Sequence, residues 1–326
     1  MSLLRYLNRD SSTMRAAITS SVCNRLLVVF IILASLPASL CAEEMRHYMT
    51  PQITVTYEPQ IENAALKIAE AYPEVKAVVE KKFGWQLKSR PTIVLLSSVK
   101  TFRSMTRNSL VTAFAVSREN LIVMDYTKMD RTPVDLRATF EHELYHLLLH
   151  EHIRRADLPK WLDEGIAQWA SGGVADIINP GNKDILKQSV LSDTMLTLDE
   201  ISMTFPAQPR KFVLAYQQSK SLVEFIVSEY GEDTVHAVLY SLKQGEDIET
   251  AVARNLSTNL YDLEQAWKRQ LRRKYSWFTY FADHIYWILF SAAALITLLG
   301  YFRFRTRLRN YRDTEDEDLF DSGNNP

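Results

Sequence analysis

Residues 140–152 read FEHELYHLLLHEH and place four of the chain's seven histidines, His142, His146, His150 and His152, within eleven positions. On an α-helix four residues advance ~400°, so His142 and His146 stand one turn apart with an offset of about 40°. Two imidazoles in that relation can bind one zinc ion from the same side. Glu143 lies ~60° round from His146. That is beside such an ion but off its axis, where a general base for a hydrolytic water belongs. Leu136, Phe140, Leu144 and Leu147 form a separate stripe. One side of the helix is therefore expected to pack into a core and the other to face a cleft.

A catalytic zinc site takes three protein ligands. A suitable carboxylate stands eighteen residues after His146, at Glu164 in KWLDEGIAQW (160–169). Gly165 beside it permits close approach of backbone or substrate. The second helix follows after a short connection, a spacing suited to folding back onto the first. Asp163 adjoins Glu164 but is expected to point elsewhere on the helix. His150 also lies four residues from His146, yet no Glu follows the first histidine of that pair, and its face has rotated ~80° from His142. It reads as a packing or supporting residue, and His152 as a helix-end cap or solvent-facing group. His47 and His236 are isolated and receive no role.

The bulk composition is consistent with such a site and excludes others. With 38 basic and 39 acidic side chains in 326 residues, nothing suggests nucleic acid as a partner. The only two cysteines, Cys23 and Cys41, lie ahead of the fold, so any metal must be held by His, Asp and Glu. There is no Gly-x-Ser-x-Gly elbow, Gly-rich phosphate loop or Cys-x-x-Cys pair.

Two segments stand outside the fold. Residues 1–42 read as an export signal: Arg15 and Arg25 precede the apolar run Leu26 to Leu36, then Pro37 and small residues lead to cleavage after Ala42. Met14 offers a second start. Lipid attachment at Cys41 is the rival, disfavoured because Leu40 stands where a small residue is wanted. Residues 285–302, IYWILFSAAALITLLGYF, contain no charge and span about 27 Å as a helix. Flanking aromatics and the run Arg303, Arg305, Arg307, Arg309 read as a transmembrane helix followed by a cytoplasmic tail, 303–326. KRQLRRK on the other side is basic too, so the export signal decides the orientation.

Between these lies one extracytoplasmic domain. QITVTYEP and PTIVLLSS read as strands, LVTAFAV and NLIVMDY as a hairpin, and IENAALKIAEAYPEVKAVVEKKFG as a helix that Pro73 should bend or restart. That gives an α/β N-terminal lobe, 43–132, of three or four strands. A helical lobe, 133–275, should open at Thr132 as N-cap with Pro133 and Asp135 in the first turn. Gly172 should close the Glu164 helix.

HELYH followed by WLDEGIAQW resembles the gluzincin metallopeptidases, the superfamily of thermolysin-like proteases and zinc aminopeptidases, and most of all the small peptidase MA-like bacterial domains. LAYQQSKSLVEFIVSEYG and LYDLEQAWKRQLR resemble the segments those domains carry downstream, and the likeness spans Tyr48 to Tyr275. It implies an α+β zincin-like fold with the His-rich helix at the join of the two lobes. It also implies one Zn2+ per chain on His142, His146 and Glu164, with Glu143 as catalytic base and Tyr216 as the hydroxyl that steadies the oxyanion. The zinc aminopeptidases carry a Gly-Ala-Met-Glu-Asn stretch that captures a free amine, and LVTAFAVSRENLIVMDY has no equivalent, which favours an endopeptidase. The expectation is a membrane-anchored zinc metallopeptidase of the bacterial inner membrane, facing the periplasm and acting on peptide or protein. A catalytically inactive zincin-fold scaffold is the alternative, and a hydrolase of non-protein amides a further one.

Overall fold

The computed structural model describes residues 45–106, 108–129, 135–173, 185–276 and 285–305. A five-stranded sheet is built from β1 (Arg46–Met49), β2 (Thr54–Tyr57), β3 (Thr92–Leu96), β4 (Ala113–Val116) and β5 (Leu121–Asp125), in the order β1-β2-β3-β5-β4. Strands β2, β3 and β5 run parallel, while the two edges, β1 and β4, are antiparallel to their neighbours. The LVTAFAV and NLIVMDY hairpin is present as β4 and β5. The sheet has one strand more than expected, because β1 (RHYM) is exposed at all four positions and shows no alternation that could announce it.

Strand β5 is buried along its whole length, as a strand covered on both faces must be. On one face Leu121 and Val123 join Leu96 and Phe102, the last from α2 (Val99–Thr106), in a buried cluster. Helix α1 (Glu62–Phe83) packs against β2. It runs as one 22-residue helix with Pro73 inside it, so the chain does not restart a helix there. Pro73 forfeits a single hydrogen bond to the carbonyl of Ala69. The buried row Ile68, Ala69, Tyr72, Val75, Val79, Phe83 continues across it.

The His-rich segment forms α3 (Leu136–His152), which lies against α1 and β4. Its N-cap is Asp135, whose carboxylate accepts from the backbone N–H of Arg137 at 2.7 Å and of Ala138 at 3.3 Å. The described helix therefore starts later than a Thr132 cap would place it; Thr132 and Pro133 fall outside the described residues. The expected division of α3 into a core side and a cleft side is also corrected. Thr139, Phe140 and every residue from His142 to Leu149 are buried, so the histidine face is covered as well.

That cover is helical. Helix α4 (Lys160–Ala170) packs on α3 and, more extensively, on α6 (Pro209–Tyr230). The short helix α5 (Ile185–Leu191) lies between α4 and α6 in sequence. After Ala170 and the C-cap Ser171, Gly172 takes φ +78°, and the N–H of Gly173 returns to the carbonyl of Gln168, closing α4 as expected. Helices α7 (Glu232–Lys243), α8 (Ile248–Leu256) and α9 (Leu260–Lys274) follow. The chain is thus a small mixed sheet followed by helices.

The described residues up to Ser189 and from Asp193 to Trp267 form one compact unit; Val190–Ser192 and the described residues from Lys268 onward group separately. The second group contains α10 (Ile285–Arg305), 21 residues, long and apolar enough to cross a membrane. The expected export signal and most of the tail lie outside the described residues.

Candidate metal centre

Gly165 is what lets α4 sit where it does. A Cβ there would stand 2.5 Å from the backbone carbonyl oxygen of Ser219 and 2.8 Å from Val223 Cγ2, so α4 and α6 touch backbone to backbone at this point. The close approach foreseen beside Glu164 is an approach of helix α6. The Gln168 side-chain amide donates to the Tyr216 carbonyl at 3.2 Å and ties the same two helices one turn further along. With α4 so placed, Glu164 on it meets the two histidines of α3.

His142 Nε2 lies 3.2 Å from His146 Nε2, and Glu164 Oε2 lies 3.6 Å from the first and 3.5 Å from the second. These three buried groups are the one His/Cys/Asp/Glu cluster among the described residues whose geometry could hold a metal ion. The fit to zinc can be tested on the edges of that triangle. Ligand bonds of about 2.0–2.2 Å in a tetrahedral array separate the donor atoms by about 3.3–3.6 Å; the two Glu164 edges fall in that range and the 3.2 Å imidazole edge is 0.1 Å short of it. Glu164 Oε2 is buried and receives no hydrogen bond among the described residues. A buried carboxylate oxygen left without a donor is costly unless a cation meets it.

The hydrogen bonds behind the imidazoles point the same way. His146 Nδ1 donates to Asp163 Oδ1 at 2.7 Å, leaving the lone pair on Nε2. The Ser171 hydroxyl spends its proton on the Ala167 carbonyl at 2.7 Å, so at the longer 3.4 Å contact it accepts from His142 Nδ1. With their protons on Nδ1, both rings can turn Nε2 lone pairs toward a shared cation.

Asp163 was expected to point away, and the structure corrects this: it bonds His146 and also takes His150 Nε2 at 3.2 Å. His150 accordingly supports the site and does not enter the cluster. His152 reaches the Gln86 carbonyl at 2.9 Å and packs on the Trp85 ring. Lys160, which the sequence reading passed over, contacts Glu164 Oε1 at 2.8 Å and Asp163 Oδ2 at 3.4 Å. Its spacing of three and four residues from the two acids was the available signal. The Tyr216 hydroxyl donates to Glu164 Oε1 at 3.1 Å.

The buried carboxylates fall into two kinds. Burial pushes the Glu143 carboxyl up, only partly offset by His146 and His142. For Glu164, burial acts upward too, but Lys160 and His146 outweigh it and hold the carboxyl well below its ordinary range. Asp163 is held down in the same way by His146 and Lys160. Burial, with Glu164 and Glu143 nearby, drives the Tyr216 phenol well up, so it stays a hydrogen-bond donor at neutral pH. Two carboxylates kept ionised beside one that readily takes a proton is the division of labour that acid–base hydrolysis needs.

Residues 112–273, which carry all of these groups, match the family model described as the Peptidase MA superfamily. They belong to that superfamily. The resemblance seen in HELYH and WLDEGIAQW therefore holds at the level of the family. No curated protein matches the sequence. Among solved structures the chain is similar to the aminopeptidase A of Legionella pneumophila in complex with aspartic acid, at 14% identity and a TM-score of 0.44, over 69% of this chain and 27% of that one. It is also similar to native yeast LTA4 hydrolase, at 13% identity and a TM-score of 0.40, over 70% of this chain and 37% of the other. The chain thus matches 27–37% of the length of these two proteins.

Proposed function

We propose that the chain is a zinc-dependent peptidase, with His142, His146 and Glu164 holding the ion, Glu143 as general base and Tyr216 as the oxyanion donor. The observation that carries this reading is the triangle of donor atoms with its unpartnered Glu164 Oε2. When bound there, zinc supplies Lewis acidity, lowering the pKa of a water toward ~7 and polarising the scissile carbonyl.

The chain's own residues supply the rest. Glu143, one residue from the His142 ligand and buried, takes the proton from the attacking water and returns it to the departing nitrogen. Its upward-shifted carboxyl suits both halves of that exchange. Tyr216 gives its hydroxyl, now resting on Glu164 Oε1, to the oxyanion as negative charge develops. Asp163 keeps the proton of His146 on Nδ1. The substrate lies extended along β4, an edge strand whose outer side has no partner strand among the described residues. The lack of a Gly-Ala-Met-Glu-Asn equivalent in LVTAFAVSRENLIVMDY favours internal cleavage.

The helix Ile285–Arg305 anchors the chain in the bacterial inner membrane, with the peptidase in the periplasm and the C-terminus in the cytosol. A reporter fused to the C-terminus is expected to register cytosol. The activity is tested by zinc analysis and a peptide-library digest of wild type and Glu143→Gln. The variant keeps about one zinc per chain and loses about 10²–10⁴-fold in turnover. Unchanged turnover excludes Glu143 as the base.

A further inference from the structure

Lys160 is oddly placed for a helix-stabilising residue. It is the first residue of α4, next to the N-cap Pro159, where a positive charge opposes the helix dipole. A lysine preceding a glutamate by four residues is also the weaker order for a helical ion pair. Its backbone is nevertheless pinned, since its N–H donates to the Ser202 carbonyl at 2.6 Å. The ammonium reaches both acids of the same turn, Glu164 Oε1 at 2.8 Å and Asp163 Oδ2 at 3.4 Å.

The two oxygens of Glu164 are consequently unequal. Oε1 is occupied by Lys160 and by the Tyr216 hydroxyl, while Oε2 has no hydrogen-bond partner among the described residues and faces both imidazoles. A free carboxylate can offer one oxygen or both to a cation, and the choice changes how many positions remain for anything else. The contact to Lys160 is the shorter of the two on Oε1 and is charge-assisted, so it is the stronger restraint.

We infer that Lys160 is a positioning residue that confines Glu164 to a single oxygen donor, Oε2, toward the ion held with His142 and His146. This rests on the metal reading above. Through Asp163 the same ammonium also steadies the carboxylate that orients His146, so one side chain sets the aim of two of the three ligands. Without it, only the longer Tyr216 contact holds Oε1, and Glu164 can turn both oxygens inward to fill the position that substrate or water requires.

The test uses the full-length chain in detergent, stripped with chelator and loaded with Co2+, whose visible absorption band weakens as the coordination number rises above four. Wild type and Lys160→Arg, which keeps a cation on Oε1, are expected to give the strong band of a four-coordinate ion. Lys160→Met and Lys160→Ala are expected to bind Co2+ with a several-fold weaker band. A circular-dichroism melt of each variant checks folding. Equal bands in wild type and both neutral variants overturn the inference while leaving the metal site intact. Failure of both neutral variants to fold overturns it in favour of a purely structural lysine. If wild type itself takes up no Co2+, the metal reading fails, and the inference with it.

Discussion

Replacing Gly165 with alanine should destabilise the chain, although the same change at an open helical position stabilises. Gly→Ala inside a helix ordinarily gains about 1 kcal/mol. Here the new Cβ would lie 2.5 Å from the Ser219 carbonyl oxygen, where ordinary contact begins at 3.4 Å, a shortfall of 0.9 Å by subtraction. The obstacle is backbone of α6, so no rotamer change removes it. Forced expansion of a packed contact costs typically 1–3 kcal/mol, and a backbone clash this close belongs at the upper end. The net is a loss of about 2 kcal/mol, or a fall in Tm of about 4–8 °C for a domain of this size. The metal site should suffer as well. Glu164 adjoins Gly165, and its edges to the imidazoles, 3.5 and 3.6 Å, would change by up to the same 0.9 Å. Metal sites tolerate deviations of only about 0.2 Å. Differential scanning calorimetry of wild type and Gly165→Ala, beside a zinc competition titration, measures both effects. A Tm equal to or above wild type with unchanged zinc affinity would refute the packing argument.

Asp163→Asn removes the carboxylate that orients His146 and should weaken zinc binding by about 10–100-fold, read by competition with a chromogenic chelator. Tyr216→Phe should lower turnover by about 10²–10³-fold while zinc content stays at the wild-type level, because Lys160 still holds Glu164; a wild-type rate would leave Tyr216 a support for Glu164 alone. The metal-free chain should show a pH window. Asp163 and Glu164 outweigh burial to raise the His146 pKa, so its stabilising contribution is complete below the ordinary 6.5 and disappears as pH rises through the raised value. The lowered pKa of Asp163 makes its contribution complete above 3.8 and lost as pH falls through the lowered value. Tm measured against pH in chelator should therefore be highest between these limits, and Asp163→Asn should flatten the profile; an identical profile in the variant removes the pair as its source.

Much of the centre was legible because it is local. His142 and His146 share a helix, and helical repeat alone stacks them. Glu164 required in addition that α4 fold back, and the short connection between the helices made that readable. Asp163 was misjudged for a physical reason. Adjacent helix positions diverge by about 100°, which suggested that only one of the two acids could face α3. An imidazole has nitrogens on opposite sides of its ring, however, and the two acids straddle His146, Glu164 toward Nε2 and Asp163 on Nδ1. Lys160 and Ser171 act on the ligands from the side away from the cluster, so their roles depend on how α4 meets α3. The burial of residues 142–149 depends likewise on later helices, which no pattern within 136–152 reports. The exposed edge strand β1 and the unbroken α1 escaped because local rules, alternation and the proline break, were overridden by sheet pairing and packing.

The most direct measurement is anomalous diffraction at the zinc absorption edge from crystals of the zinc-loaded chain. The account predicts one strong peak per chain, bonded to His142 Nε2, His146 Nε2 and Glu164 Oε2 at about 2.0–2.2 Å. A peak bound by other side chains, or none at these three, would contradict it.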